Sequence, residues 1–269
     1  MAEVILTPNR EIDIKVEADV ITPDEFAGKG KAGIEQLLVW QGPKQYPLSD
    51  FFDVEGEGGS TAEDTDIVIN GDASRVKLIG AKMTAGKITV KGSTGMHVGS
   101  EMAGGEIVVE GDADSWPGME MTGGVIHIKG NTQDHVGCAY RGKWKGMKGG
   151  RIIVDGNARS QVGGGISGGE ILIGGSVENF CGIRQSGGLI VVKGNAIRTV
   201  GVEMSGGTIV VGGTIQKFTP GMQYEGEEAD LEFGDVKCGG TFKKFNGDFA
   251  ISKKPKGIVY AGKETNPEL

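Results

Sequence analysis

The chain has 269 residues, 38% of them hydrophobic, and a formal net charge of -8 at neutral pH. That is enough apolar material for a core, and the negative charge argues against a broad phosphate-binding surface, which needs clustered Lys and Arg, so neither nucleic acid nor an anionic membrane is expected as a partner. The 50 glycines do not fall at every third position, which excludes collagen, and Val and Ile are too frequent for a disordered glycine tract.

The N-terminus, MAEVILTPNREIDIKVEADV, has no basic region followed by an apolar stretch. No apolar run anywhere approaches ~18 residues, so a cytoplasmic protein is expected. Residues 1–63 are assigned to an N-terminal cap segment. Within it the alternation of EIDIKVEADVI (11–21) predicts a strand. Thr22-Pro23-Asp24-Glu25 then reads as a capping box with proline at the first helical position, which opens a short helix.

Residues 64–226 are dominated by one motif. AGKITVKG (85–92), GGEIVVEG (104–111), GGVIHIKG (123–130), GGRIIVDG (149–156), GGEILIGG (168–175), GGLIVVKG (187–194) and GGTIVVGG (206–213) are copies of a single unit. The spacing is nineteen throughout except between the third and fourth copies, where RGKWKGM (141–147) supplies seven extra residues. Before them, TDIVINGDA (65–73) reads as a worn first copy at a spacing of twenty-one. Steps two and four after the second glycine carry Ile88/Val90, Ile107/Val109, Ile126/Ile128, Ile152/Val154, Ile171/Ile173, Ile190/Val192 and Ile209/Val211. Every one is β-branched, and burial at period two between glycine turns is a strand signal. With no helical pattern in between, the expected fold is all-β: a right-handed parallel β-helix, a solenoid of about seven to eight coils capped at both ends. The polar residues after each strand (Ser93, Asp112, Asn131, Asn157, Ser176, Asn195 and Thr214) are each able to bond a local backbone group, and stacked they would form a ladder along one corner. Residues 227–269 are assigned to a C-terminal cap, where Asn246-Gly247 between alternating apolar residues reads as a hairpin turn.

The side chains that carry chemistry in other proteins have plainer uses here. Gly163, Gly165 and Gly168 match G-x-G-x-x-G, but a dinucleotide turn leads into a helix whose N-terminus holds pyrophosphate, and Gly168 leads into a strand instead. His97 and His135 share a register two units apart, roughly 9 to 10 Å by strand spacing, too far for one zinc ion. His127 points outward. Cys138, Cys181 and Cys238 show no C-x-x-C pairing and are expected to be reduced thiols; Cys181 occupies a position held by valine in other units and reads as core. Step five alternates in sign along Lys91, Glu110, Lys129 and Asp155, as in a solvated ladder. No catalytic, cofactor-binding or metal-ligating residue is assigned. Two candidate partner interfaces are. Step three turns apolar in Ile153, Leu172, Val191 and Val210, with Leu189 beside them, and such a stripe needs a cover, either another subunit or the chain's own terminal segment. The basic insertion, with Arg141, Lys143, Trp144 and Lys145, has the look of a docking loop.

The unit GG-x-I-x-V-x-G-[NDS], together with TFKKFNGDFAISKKPKGIVYAGK (241–263), resembles the C subunit of formylmethanofuran dehydrogenase along the whole chain. The repeat region is also similar to the C-terminal glycine-motif domain of the glutamate synthase large chain. The first resemblance implies a right-handed β-helix in a cytoplasmic hetero-oligomer of methanogenic archaea that reduces carbon dioxide to formate and condenses it with methanofuran. It further implies a tungsten- or molybdenum-pterin, iron–sulfur clusters and zinc, all in other subunits: pterin-enzyme, ferredoxin-like and amidohydrolase-like chains. This chain is then expected to be a non-catalytic scaffold. The second resemblance leaves open a stand-alone scaffold domain of an amidotransferase complex. A β-helical sugar lyase would need clustered carboxylates where step five alternates, and a hexapeptide acyltransferase would need a six-residue subperiod that is missing.

Overall fold

A computed structural model describes residues 2–269. Seven strands, Lys87–Val90, Glu106–Val109, Val125–Ile128, Arg151–Val154, Glu170–Ile173, Ser186–Val192 and Gly206–Val211, lie side by side in chain order and pair in parallel. Equivalent positions are register partners, so Ile88 faces Ile107, Ile107 faces Ile126, and Ile126 faces Ile152 across the longer connection. All fourteen β-branched residues at steps two and four are buried. Their opposite wall is a column the sequence reading did not single out: Met83, Met102, Met121, Met147, Ile166 and Met204, each fully buried. Unbranched thioether side chains fill the irregular space between turns and sheet.

The expected right-handed parallel β-helix is corrected by this topology. The chain forms a 13-stranded sheet of mixed direction, mostly parallel. Beyond Lys87–Val90 it continues through Thr65–Ile69 and Ala2–Pro8, both parallel, and ends on Phe52–Gly56, which is antiparallel. Beyond Gly206–Val211 it continues through Gly257–Gly262, parallel, then Val236–Gly247 and Gln223–Phe233, both antiparallel. The rest of each unit forms little further strand, although its backbone still bonds the neighbouring unit, as from Gly118 N–H to Val98 O at 2.8 Å and from Trp116 N–H to Asp134 O at 2.9 Å. Only Val177–Asn179, Ala196–Arg198 and Ile215–Lys217 form a second parallel sheet, and earlier units contribute single bridges from Ala73 through Thr94 and Ala113 to Thr132. The physical reason lies in the returning segments. They turn through left-handed residues, His97, Trp116, His135, Gln161, Phe180 and Thr199 among them at φ of +56° to +70°, a conformation incompatible with extended pairing.

The polar residues after each strand do stack, but they bond the next unit rather than their own turn. Ser93 Oγ accepts from Asp112 N–H (3.1 Å), Asp112 Oδ1 from Asn131 N–H (2.7 Å), Asn131 Oδ1 from Asn157 N–H (2.9 Å), and Asn157 Oδ1 from Ser176 N–H (2.8 Å). Ser176 Oγ and Asn195 Oδ1 extend the chain to Asn195 and Thr214 at 3.0 and 2.8 Å. Backbone donors that turn geometry would leave exposed are thereby satisfied.

At the N-terminal end half of the expected capping box forms: Thr22 Oγ1 accepts from Glu25 N–H at 3.1 Å ahead of the helix Pro23–Phe26, but the Thr22 N–H donates to Val20 O at 2.9 Å and not to the Glu25 side chain. Phe26, Ile34, Leu48, Phe51 and Phe52 are fully or almost fully buried and continue the main core. The strand expected over 11–21 shrinks to Val16–Glu17. At the other end Asn246-Gly247 is not a tight turn. Both residues still pair with Ile258 and Gly257, and Asn246 Nδ2 donates to the carbonyls of Pro255 and Gly257. The tight turn sits instead at Gly234-Asp235, with Gly234 at φ +63°. The buried Lys243 ammonium donates to the carbonyls of Asn266, Pro267 and Leu269 at 3.0, 2.9 and 2.6 Å, which ties the tail to this hairpin.

Two glycines with the same backbone separate strain from crowding. Gly150 has φ +84° and a Cβ there would lie 2.7 Å from Gly124 O; Gly142 has φ +87° with open space around it. Gly142→Ala is expected to cost about 1 kcal/mol, the left-handed penalty alone, and Gly150→Ala about 3 kcal/mol or more because the neighbouring unit must also move. Denaturant midpoints of the two variants check this; equal costs would overturn it.

Candidate functional site

The apolar stripe expected on the outside of the later units is there, and the chain's own C-terminal hairpin covers most of it. Leu189, Val191 and Val210 are buried against Leu231, Phe242 and Tyr260, with Leu172 and Phe233 packed around them. The hairpin reaches across the sheet to Arg151, whose guanidinium donates to both Asp235 carboxylate oxygens (2.7 and 2.5 Å) and to Glu170 (2.7 Å). Hydrogen bonding to Arg151 holds the Asp235 carboxyl below its ordinary pKa. Tyr260 Oη donates to Glu228 at 2.8 Å, and burial raises the Tyr260 pKa to about 12. Between the sheet and the hairpin tip a cleft of about 470 Å³ remains, in which Ile153 and Leu172 are still half exposed beside Val236 and Cys238.

The insertion forms the second candidate surface. Trp144 is 69% exposed and Tyr140 51%, and the Arg184 guanidinium lies 4.5 Å from the Trp144 ring centre. Arg141, Lys143 and Lys145 are all exposed. Lys143 Nζ donates to Glu120 at 2.7 Å and Tyr140 N–H donates to the same carboxylate at 3.0 Å. Burial pushes the Glu120 carboxyl up, but these two donors outweigh it and keep it below the usual carboxylate range.

Beside this loop lies an arrangement that sequence reasoning missed. Trp116 lies between the two histidines, with ring centres 5.9 Å from His97 and 4.0 Å from His135, the latter pair nearly parallel. The signal was present in the spacing, since residues 97, 116 and 135 are nineteen apart. Burial lowers the pKa of both rings, aided by Lys77 at His97 and by Arg141 at His135, so the stack favours neutral imidazoles. His127 bonds Asp155 at 3.0 Å and so diverts that carboxylate from the step-five ladder, of which the pair Glu110–Lys129 forms at 2.7 Å.

Among the described residues no group of three His, Cys, Asp or Glu side chains is placed to hold a metal ion. Cys138 donates to Gln161 O at 2.6 Å, and burial pushes the thiols of Cys138 and Cys181 up to about 12, which disfavours the nucleophilic thiolate. No helix is long and apolar enough to cross a membrane.

No family model matches the chain. It is 66% identical, over all of its 269 residues and 89% of the relative's length, to the C subunit of molybdenum-containing formylmethanofuran dehydrogenase 1 of Methanosarcina barkeri. It is 59% identical, over all of this chain and 99% of the relative, to the C subunit of tungsten-containing formylmethanofuran dehydrogenase 2 of Methanothermobacter thermautotrophicus. A chain in the crystal structure of the formyltransferase/hydrolase complex (FhcABCD) from Methylorubrum extorquens, in complex with methylofuran, matches with a TM-score of 0.84 at 26% identity, covering 96% of this chain and 99% of that one.

Two outcomes are expected from this packing. Val191→Asp, which places a carboxylate under the hairpin, is expected to destabilise the isolated chain by about 3 kcal/mol, whereas Leu172→Asp on the open cleft costs about 1 kcal/mol; similar small losses at both, measured by urea unfolding, would show that the hairpin does not cover the stripe. In the folded chain a thiol reagent at pH 8 is expected to modify the half-exposed Cys238 and to reach Cys138 and Cys181 only after denaturation. Rapid native labelling of Cys138 or Cys181 would contradict their burial.

Proposed function

The chain belongs to the family of formylmethanofuran dehydrogenase C subunits, and from that premise we propose that it is the non-catalytic scaffold of such a complex. It holds the catalytic subunits in fixed relation while carbon dioxide is reduced to formate and condensed with methanofuran. The pterin metal, iron–sulfur clusters and zinc belong to the pterin-enzyme, ferredoxin-like and amidohydrolase-like partners of a cytoplasmic hetero-oligomer. Relatives with molybdenum and with tungsten in their names are similar to this chain from end to end, which supports the metal being a property of the partners.

The observation that carries the scaffold reading is where the ionisable side chains go. Lys87–Glu106, Glu110–Lys129, Arg151–Glu170, Arg159–Glu178 and Arg184–Glu203 are ion pairs between residues nineteen apart, at 2.6 to 3.3 Å. Each links one unit to the next. A carboxylate or cation engaged with its neighbour is neither a free acid nor a free base, and each exposed pair adds only ~0.2–1 kcal/mol of stability. Their combined effect is to fix the register of an extended surface, as a platform requires. The glutamate-synthase-like alternative has no such observation of its own.

The test is to tag this chain in its host, purify it without oxygen, and identify the proteins and metals that accompany it. Pterin-enzyme and amidohydrolase-like subunits with tungsten or molybdenum are expected. A chain recovered alone as a stable monomer would overturn the proposal.

A further inference from the structure

The insertion is the place where the repeating surface is interrupted by something built onto it. Met147 N–H donates to Gly137 O at 2.9 Å, the same bond that Met102 makes to Gly99 and Met121 to Gly118 at 3.2 Å in the preceding units. The extra residues are therefore pinched off as a loop and the ladder beyond them is undisturbed. The loop is then fixed from several sides. Glu120 holds Tyr140 and Lys143, Gly146 N–H donates to Gly165 O at 2.8 Å, and Arg184 packs on Trp144. Gly165 has φ +74°, and a Cβ there would run into the Trp144 carbonyl. An ordered loop that keeps a tryptophan in water has already lost the conformational freedom that binding would otherwise remove.

Its basic residues fall close together in sequence, at 141, 143, 145 and 148. Lys143 is taken by Glu120 and Arg184 by Glu203. Arg141, Lys145 and Lys148 have no ion-pair partner among the described residues, although the chain as a whole carries -8. Tyr140, Trp144 and His135 line a cleft of about 190 Å³ at the base of the loop. Tryptophan, tyrosine and arginine together are the composition of an interface centre.

We infer that this loop docks an acidic segment of a partner subunit, with Trp144 and Tyr140 against its apolar atoms and Arg141, Lys145 and Lys148 facing its carboxylates. The inference rests on the scaffold reading above and gives the partner surface its chemistry. A second copy of this chain is a poorer occupant. A two-fold contact through this loop would set one basic loop against the other.

The experiment uses the tagged complex. A carbodiimide joins lysine amines directly to carboxylates in contact, so peptides linking Lys145 or Lys148 to an Asp or Glu of a different subunit are expected. Lys145→Glu with Lys148→Glu, both at exposed positions, is expected to weaken retention of that one subunit about tenfold at low salt, with the thermal midpoint of the free chain unchanged and the other subunits retained. Trp144→Ala should weaken the same subunit without changing the salt dependence. Links to a second copy of this chain, identified by isotope mixing, or full retention of every subunit by the charge-reversed variant, would overturn the inference and leave the scaffold reading standing. Recovery of the unaltered chain with no partner at all would overturn both.

Discussion

Parallel backbone pairing between units is the constraint on which the rest of this molecule depends. A parallel ladder joins residues only if the chain leaves one strand, turns, and returns displaced by one strand spacing with its pleat in phase. Nineteen residues achieve this here, and Ile88, Ile107 and Ile126 occupy one line of the sheet as a result. A slip of one residue would carry every β-branched side chain from core to solvent. The turn positions are bound by the same condition. Glycine at the start of a unit, the left-handed residue midway along the return, and the polar residue after the strand each serve to keep the return length and direction constant.

The same constraint explains how departures are tolerated. Seven added residues change the sequence spacing between Ile126 and Ile152 but not their pairing, because the backbone bond from Met147 to Gly137 closes the loop at its base. Met147, the last of the seven, rejoins the buried column, while Arg141, Trp144 and Lys145 stay exposed outside the ladder. Gln185 is a different departure. It falls in the column otherwise filled by Met and Ile, is fully buried, and donates to the carbonyls of Gly187 and Gly188 at 3.0 Å. It places a polar anchor within the core at the unit where the Ser186–Val192 strand begins early.

Both ends of a sheet assembled this way present unpaired backbone, and the terminal segments answer that need differently. At the N-terminal end Ala2–Pro8 adds a parallel strand, Phe52–Gly56 an antiparallel one, and a cluster of aromatic residues closes the core. At the C-terminal end a long hairpin extends the sheet and folds its apolar face back over Leu189, Val191 and Val210. The hairpin's tip is secured by Arg151, an interaction that spans 84 residues of sequence. Ile153 and Leu172, nearer that tip, stay partly open.

By itself the sequence determined the unit, its strand and its inward face, because glycine spacing and β-branched alternation are local properties of the chain. It also located the helix N-cap at Thr22, the burial of Cys181 and the exposure of Trp144, each of which depends on near neighbours or on equivalent positions in other units. Three things were decided only by the tertiary structure. The expected β-helix gave way to a mixed sheet, because strand direction at the two ends is set by segments far away in sequence and because left-handed residues interrupt the returning segments, which bond the next unit without forming long strands. Asn246-Gly247, locally a hairpin signal, became strand, since pairing with Gly257–Gly262 outweighed the turn preference of two residues. The cover over the apolar stripe proved to be the chain's own hairpin, a choice the stripe could not express, since an exposed apolar row fits a partner's surface and its own terminus equally well.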